Sequence, residues 1–377
     1  MGIVSKINGQ DLLLREGELS INVLNYSAQL LNNQILPNIS AKHQGLFKFG
    51  IQSLSFSPFS SLNSNARMVI ANESTATSKI FRLTSKERIL NYFPKLLTKL
   101  NLVNKTSLVN VDFSTFCGFE TLAFGVQTNE GRAIPIWANC ITYPIKEVGS
   151  QNIFVIDEIK RLSLSLGFYP RFIFDRGFWI PDMIKFFLKD RITFYLRIKA
   201  GKLLEWSDSQ GNLKKISALK ISKYTKDATV TLNLKSHEYK NHQYKLRLVI
   251  SPPPPNITQK GKKRNKERWY ILTNDLSSSR EKILDIYKHR FEIEETFKDL
   301  KHVSKLKKFF IKKKLTFKIL LFFACLAFWV AYLCRRFTNL ISTTHHPKKK
   351  RSFFKIWWEE IQRQGRKPLL TIFMPDG

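Results

Sequence analysis

The chain has 377 residues, 43% of them hydrophobic, which is enough for two or three domains around a large core and excludes a disordered chain. Its net charge of +33 exceeds incidental surface charge and calls for a polyanionic partner, nucleic acid or an anionic membrane. The four cysteines (Cys117, Cys140, Cys325 and Cys334) lie far apart with no CxxC pair, so they are expected to be reduced, buried and free of metal in a cytoplasmic protein.

The first 25 residues mix charges with short apolar runs and do not read as a signal peptide. Leu12 to Leu36 has room for one or two helices. Asn38 to Ser78, rich in Ser and Asn, reads as loop with short elements. Thr84 to Leu102 is a stronger helix, with Thr84 and Glu87 as a capping box and Ile89, Leu90, Phe93, Leu96, Leu97 and Leu100 on its apolar face. No helix-turn-helix or zinc-finger pattern marks this region, although its place would suit a DNA-end-binding unit.

From 107 to 145 the pattern changes. SLVNVDFSTF, ETLAFGVQT and RAIPIWANCITY are three strand-like runs, with Thr128 to Gly131 as a hairpin turn between the last two. Asn152 to Gly167 reads as a helix, RFIFD (171–175) as a short buried strand, Ile180 to Leu188 as a helix and TFYLRIKA (193–200) as a strand. This order predicts a ribonuclease H-like α/β fold, a mixed sheet flanked by helices. The stretch from 201 to 274 is strand-rich, interrupted by PPPPN and a basic run at 260–268 that read as an exposed cationic loop. The apolar run Ile319 to Cys334 is shorter than a membrane span needs and reads as a buried helix beside the helix that precedes it, with no membrane role. A basic tail with KKKR (348–351) and an amphipathic SFFKIWWEEIQRQ stretch closes the chain.

The stretch Tyr287 to Lys301, YKHRFEIEETFKDLK, predicts a helix begun by a Ser278/Glu281 capping box. At about 100° per residue, Tyr287, Arg290, Glu294, Phe297 and Lys301 share one narrow arc, Glu292 and Glu295 point elsewhere, and Ile286, Ile293 and Leu300 form an apolar stripe beside it. Each residue alone is equally at home in a helix with i,i+4 salt pairs. The spacing Tyr-x2-Arg-x3-Glu-x6-Lys resembles the Y-R-E-K signature of DDE transposases of the insertion sequence family four, and Phe297 matches that family's aromatic between Glu and Lys. Two upstream aspartates are then required at the ends of core strands. Asp112 in LVNVDFSTF and Asp175 in RFIFDRGF stand in those places, although each alone also reads as a strand-end turn residue.

What the resemblance implies is a transposase that binds the terminal inverted repeats of its element, cleaves them and joins them to target DNA. Asp112, Asp175 and Glu294 would be its catalytic metal ligands for two Mg²⁺ ions, with Mn²⁺ as a substitute. Tyr287, Arg290, Lys301, Arg176 and Lys298 would contact DNA. Trp179 would either stack on a displaced base or sit in the core. The implied partner is double-stranded DNA, bound by a homodimer. The implied division is an N-terminal region (1–104), a catalytic domain in two parts (105–200 and 276–340), a β-rich insertion between them (201–275) and the tail (341–377). A ribonuclease H-like nuclease without strand transfer, or a basic DNA-binding protein without activity, would share the composition.

Overall fold

A computed structural model of the chain describes residues 23–55, 74–75, 78–79, 82, 87–142, 150–208, 210–234, 242–253, 258–259, 262–263, 267–303, 306, 311–338 and 352–363. Among the described residues, helices α1 (Val23–Leu30), α2 (Ala41–Ser55) and α3 (Tyr92–Lys99) precede the sheet. The loop expected over 38–78 is therefore wrong at its start, where α2 buries Phe47 and Phe49. Thr84 and residues 1–22, 56–73, 348–351 and 364–377 lie outside the described residues, as does most of the basic run at 260–268. The helix expected from Thr84 begins as a 3-10 turn at Glu87–Asn91.

The three alternating runs form β1 (Leu108–Phe116), β2 (Phe119–Val126) and β3 (Ile134–Ile141), paired antiparallel in succession. Helix α4 (Gln151–Leu166) starts where the Ser150 hydroxyl accepts the Ile153 N–H, and leads to β4 (Arg171–Phe174). Helix α5 (Pro181–Lys189) follows, then β5 (Phe194–Arg197). Strand β4 runs parallel to both β1 and β5, so the order β3-β2-β1-β4-β5 has the mixed topology expected of a ribonuclease H-like core.

The β-rich segment continues this sheet. It comprises β6 (Leu203–Ser207), β7 (Leu213–Ser217), the single turn α6 (Ala218–Ile221), β8 (Asp227–Leu234) and β9 (His242–Ile250). A two-stranded ribbon, β10 (Thr258–Gln259) and β11 (Lys262–Lys263), comes before β12 (Tyr270–Thr273). Because β12 lies antiparallel between β5 and β9, ten strands form one sheet in the order β3-β2-β1-β4-β5-β12-β9-β8-β6-β7.

After β12 come α7 (Arg280–Lys288), a 3-10 turn at His289–Phe291 and α8 (Glu292–His302). One continuous helix was expected. The break has a tertiary cause: the His289 carbonyl accepts the Asn110 side-chain amide at 3.0 Å, so it is drawn toward β1. The cap is Ser279, whose hydroxyl accepts the Lys282 N–H, and not Ser278. Ser278 is held in a turn by Asp275 and gives its carbonyl to Arg247.

Alternation along the strands divides the core. Val109, Val111, Phe172, Phe174, Phe194 and Leu196 face the larger cluster, while Ile173, Tyr195 and Ile271 face a smaller one closed by Ile283, Ile286 and Tyr287 of α7. The larger cluster is filled by α9 (Lys314–Thr338) and α10 (Phe353–Arg363). Helix α9 is long and apolar enough to cross a membrane, but 89% of its most apolar window is buried in the protein. Its main neighbours are β3, α1, α2 and α10, so its expected place beside the Glu294 helix is corrected. Trp329 of α9 donates to the Pro135 carbonyl at 2.5 Å. Part of the expected tail is thus core, since α10 buries Phe354 and Trp358 against α9. The four cysteines are free thiols, and Cys117 is half-buried where full burial was expected.

Candidate active site

The β1–β4 register brings the two aspartates abreast. Asn110 pairs with Ile173 and Val111 with Phe174, so the next rung of the parallel pair sets Asp112 beside Asp175. By alternation both lie on the face of the sheet shared with Asn110, Ile173 and Tyr287. Neighbouring strands are about 4.8 Å apart, which fixes the scale of their separation. Glu294 enters from the first turn of α8, and Arg290 joins it to the strand. The Arg290 guanidinium reaches the Asp112 carboxylate at 3.4 Å and that of Glu294 at 2.5 Å.

Each member of the predicted arc faces the sheet. The Tyr287 hydroxyl donates to Asp175 at 3.4 Å. Lys301 donates to the Ser114 hydroxyl at 2.7 Å, two residues along β1 from Asp112, and lies 4.9 Å above the Phe116 ring. Phe297 meets Phe116 edge-on. The arc survives the 3-10 turn because the chain re-enters a helix after three residues.

Burial changes what two of these residues can do. Tyr287 is fully buried and Arg290 is 3% exposed, so neither presents itself to a DNA backbone in this structure, contrary to the expected surface role. Both instead hold carboxylates. Of the other expected DNA contacts, Arg176 is exposed and pairs with Glu267 at 2.7 Å, and Lys298 is exposed and pairs with Glu295. Trp179 is half-buried against the core, with the Lys202 ammonium 4.3 Å above its ring, so both readings of it keep some support.

The electrostatics are uneven. Burial raises Asp112 to about 6 from its ordinary 3.8; Arg290 and the Phe113 N–H act against that rise, and Glu294 and Asp175 add to it. Burial alone would lower Arg290, yet Tyr287, Asp175, Asp112 and Glu294 around it more than compensate, and its pKa is raised. Burial likewise pushes up the Tyr287 phenol, which stays a neutral donor.

Three features escaped the sequence reading. Arg197, at the end of β5, stands 3.9 Å from Asp175 and is braced by Glu267 at 3.1 Å. Its signal was its place two residues beyond the inward-facing Tyr195. Glu292, expected to face away from the site, does so but is buried. It accepts the Thr128 N–H at 2.9 Å, the Gly131 N–H at 3.2 Å and a contact from His289 at 3.1 Å. Thr296 to the Ala133 carbonyl and Asp299 to Arg132 continue this ladder at helical spacing, fastening α8 to the β2–β3 turn. Gly125 permits the fit, since a Cβ there would lie 2.6 Å from Ile293 Cδ1 and 2.8 Å from the Ala133 Cβ.

Among the described residues no three His, Cys, Asp or Glu side chains stand in a geometry that could hold a metal ion, and Arg290 bridges Asp112 and Glu294. The donor set nevertheless fits a hard divalent cation: three carboxylates, all partly open to solvent.

The fold is of the ribonuclease H-like class. Residues 155–330, a little under half of the chain, match the family model described as Transposase DDE domain. The matched span contains Asp175, Tyr287, Arg290, Glu294 and Lys301, and Asp112 lies before it on β1. A comparison with curated proteins finds no match. Over the matched span the similarity supports a transposase, an enzyme class that acts on DNA with divalent ions.

Proposed function

We propose that the protein is a transposase of the insertion sequence family four. In this reading it binds double-stranded DNA at the terminal inverted repeats as a homodimer in the cytoplasm, cleaves the ends and transfers them to target DNA. The observation that supports this reading is that Asp112 and Asp175 each follow the last paired rung, Val111 with Phe174, of two adjacent parallel strands, while Arg290 joins Glu294 to Asp112.

Asp112, Asp175 and Glu294 would hold two Mg²⁺ or Mn²⁺ ions, which when bound stabilise the attacking and leaving oxygens of an in-line displacement at phosphorus. The protein's own residues prepare that place. Tyr287 donates to the Asp175 carboxylate and orients it, and Arg197 adds positive charge near the same oxygen. Arg290 fixes Glu294 relative to β1, and a buried guanidinium does so with little loss of rotamer freedom on binding. Lys301, Arg176 and Lys298 remain for the DNA backbone, as point charges or forks on phosphate.

The test is incubation of the full-length protein with labelled element ends and Mg²⁺. Cleavage should require the ion and be abolished by Asp112→Ala, Asp175→Ala or Glu294→Ala, with DNA binding nearly intact. Joined products would separate a transposase from a nuclease, and an active Glu294→Ala protein would overturn the assignment.

A further inference from the structure

A groove of about 1200 Å³ lies at the far end of the sheet, between the β6–β7 hairpin, α6 and β8. Nothing in the carboxylate site accounts for it. Trp206 of β6 and Tyr224, just beyond α6, stack there with ring centroids 5.4 Å apart and planes 24° from parallel. Tyr224 is 72% exposed, which is unusual for so large a ring, and its outer face is open.

Three carboxylates line the groove, Glu205, Asp208 and Asp227, and the last two are held by cations. Asp208 is taken up by Lys214 at 2.6 Å and by the Gln210 and Asn212 N–H groups of its own turn. Asp227 is held by two nitrogens of Arg247. Lys220, Lys223 and Lys245, which also line the groove, make no ion pair among the described residues. The groove therefore offers an aromatic platform with unneutralised cations around it, the combination that binds a base and its phosphates.

The groove is also joined to the carboxylate site. Lys202, whose carbonyl accepts the Ala218 N–H at the start of α6, lies over Trp179, four residues past Asp175. Four to five strand spacings separate β4 from β8 and β6, or roughly 20–25 Å across the sheet.

We propose that this groove holds an unpaired DNA strand, with one base stacked on Tyr224 above Trp206 and the flanking phosphates on Lys220, Lys223 and Lys245. The rival occupant is a second copy of the chain, since Leu203, Leu213 and Leu219 are exposed nearby and β7 ends the sheet. Lys214 and Lys215 on β7 weigh against edge-to-edge pairing, because lysines on an edge strand disfavour it. The strand assignment rests on the transposase reading for the source of the DNA, and its test is independent of cleavage.

The experiment uses the full-length protein with two probes, a blunt duplex and the same duplex with a single-stranded tail, read by fluorescence anisotropy. Tyr224→Ala should weaken binding of the tailed probe by about 5- to 140-fold and leave the blunt probe unchanged, as expected for losing one stacked base. Tyr224→Phe keeps the ring and should bind as wild type. Changing both Lys220 and Lys223 to Ala should lower the slope of log affinity against log salt by about 1.4. Tailed-probe affinity unchanged in Tyr224→Ala would overturn the proposal. So would displacement of the tail by micromolar dAMP, which would mark a mononucleotide pocket. Loss of an oligomer in sedimentation with DNA affinity intact would assign the groove to a second copy and also overturn it. Asp112→Ala, assayed in parallel for cleavage, tests the transposase reading alone: an active variant would remove that reading and leave the groove result standing.

Discussion

Replacing Asp112 with Asn should make the metal-free protein more stable while destroying its activity. The carboxyl is partly buried and titrates at about 6 in the folded chain, against an ordinary 3.8. Between those values the native state holds a proton that the unfolded state has lost, so stability falls as pH rises through this window. Below about pH 4 the group is protonated in both states and costs nothing; above about pH 6 the full cost is present. A shift of about two units corresponds to ~3 kcal/mol, and the residual solvent contact of the side chain reduces that to about 2 kcal/mol. Asn keeps the shape and can still accept the Phe113 N–H, which Asp112 receives at 2.8 Å.

The assay is denaturant unfolding of wild type and Asp112→Asn in a chelator, at about pH 4 and about pH 8. The variant should match wild type at the lower pH and exceed it by about 2 kcal/mol at the higher. Adding Mg²⁺ should then stabilise wild type more than the variant, since only the carboxylate form completes the ligand set. A variant less stable than wild type at about pH 8, or a difference that does not change with pH, would refute the reasoning.

Three further outcomes follow from named contacts. Tyr287→Phe should leave DNA affinity unchanged, because the phenol is fully buried, and should lower the cleavage rate by loosening Asp175; a selective loss of affinity would return Tyr287 to the DNA surface. Glu292→Ala removes the carboxylate that accepts the part-buried Thr128 N–H and the Gly131 N–H and should cost about 1–2 kcal/mol in thermal or chemical unfolding, with an unaltered midpoint counting against the clamp. Gly125→Ala forces Ile293 or Ala133 aside and should cost about 1–3 kcal/mol, lowering cleavage as α8 shifts.

Much of the sheet was legible because its signal is local. Short strand-like runs marked β1 to β5, and the Thr128–Gly131 hairpin turn read from its composition carries positive φ at Asn129 and Gly131. The arc from Tyr287 to Lys301 was legible because helical spacing alone sets it. What failed was fixed by distant partners. Nothing local distinguishes α2 from loop: its helix carries two glycines, and it is held by packing of Phe47 on Phe322 and Phe323 of α9, some 275 residues away. Gly50 is part of that contact, since a Cβ there would meet the Phe323 ring at 2.7 Å. The 3-10 turn at His289 depends on Asn110, and the burial of Tyr287 depends on Trp269, which meets it edge-on at 5.2 Å. No reading of the helix alone contains those residues.

The burial of Tyr287 and Arg290 has a physical meaning for the site. A cation and a phenol in one arc with a carboxylate look from sequence like a phosphate grip, since both residue types serve that purpose on a surface. Beneath a surface they serve another. Three carboxylates gathered on one sheet face repel one another, and burial worsens the cost, as Asp112 records. Arg290 offsets that repulsion from within, contacting two of the three, while Tyr287 and Arg197 attend the third. The helix thus carries both the third carboxylate and the guanidinium that acts against the rise of Asp112. A divalent ion would compete with Arg290 for Asp112 and Glu294, so Arg290→Ala should leave the metal-free protein less stable above about pH 6 and narrow that deficit as Mg²⁺ is added. A deficit that Mg²⁺ does not narrow would mean that Arg290 and the ion do not share the same oxygens.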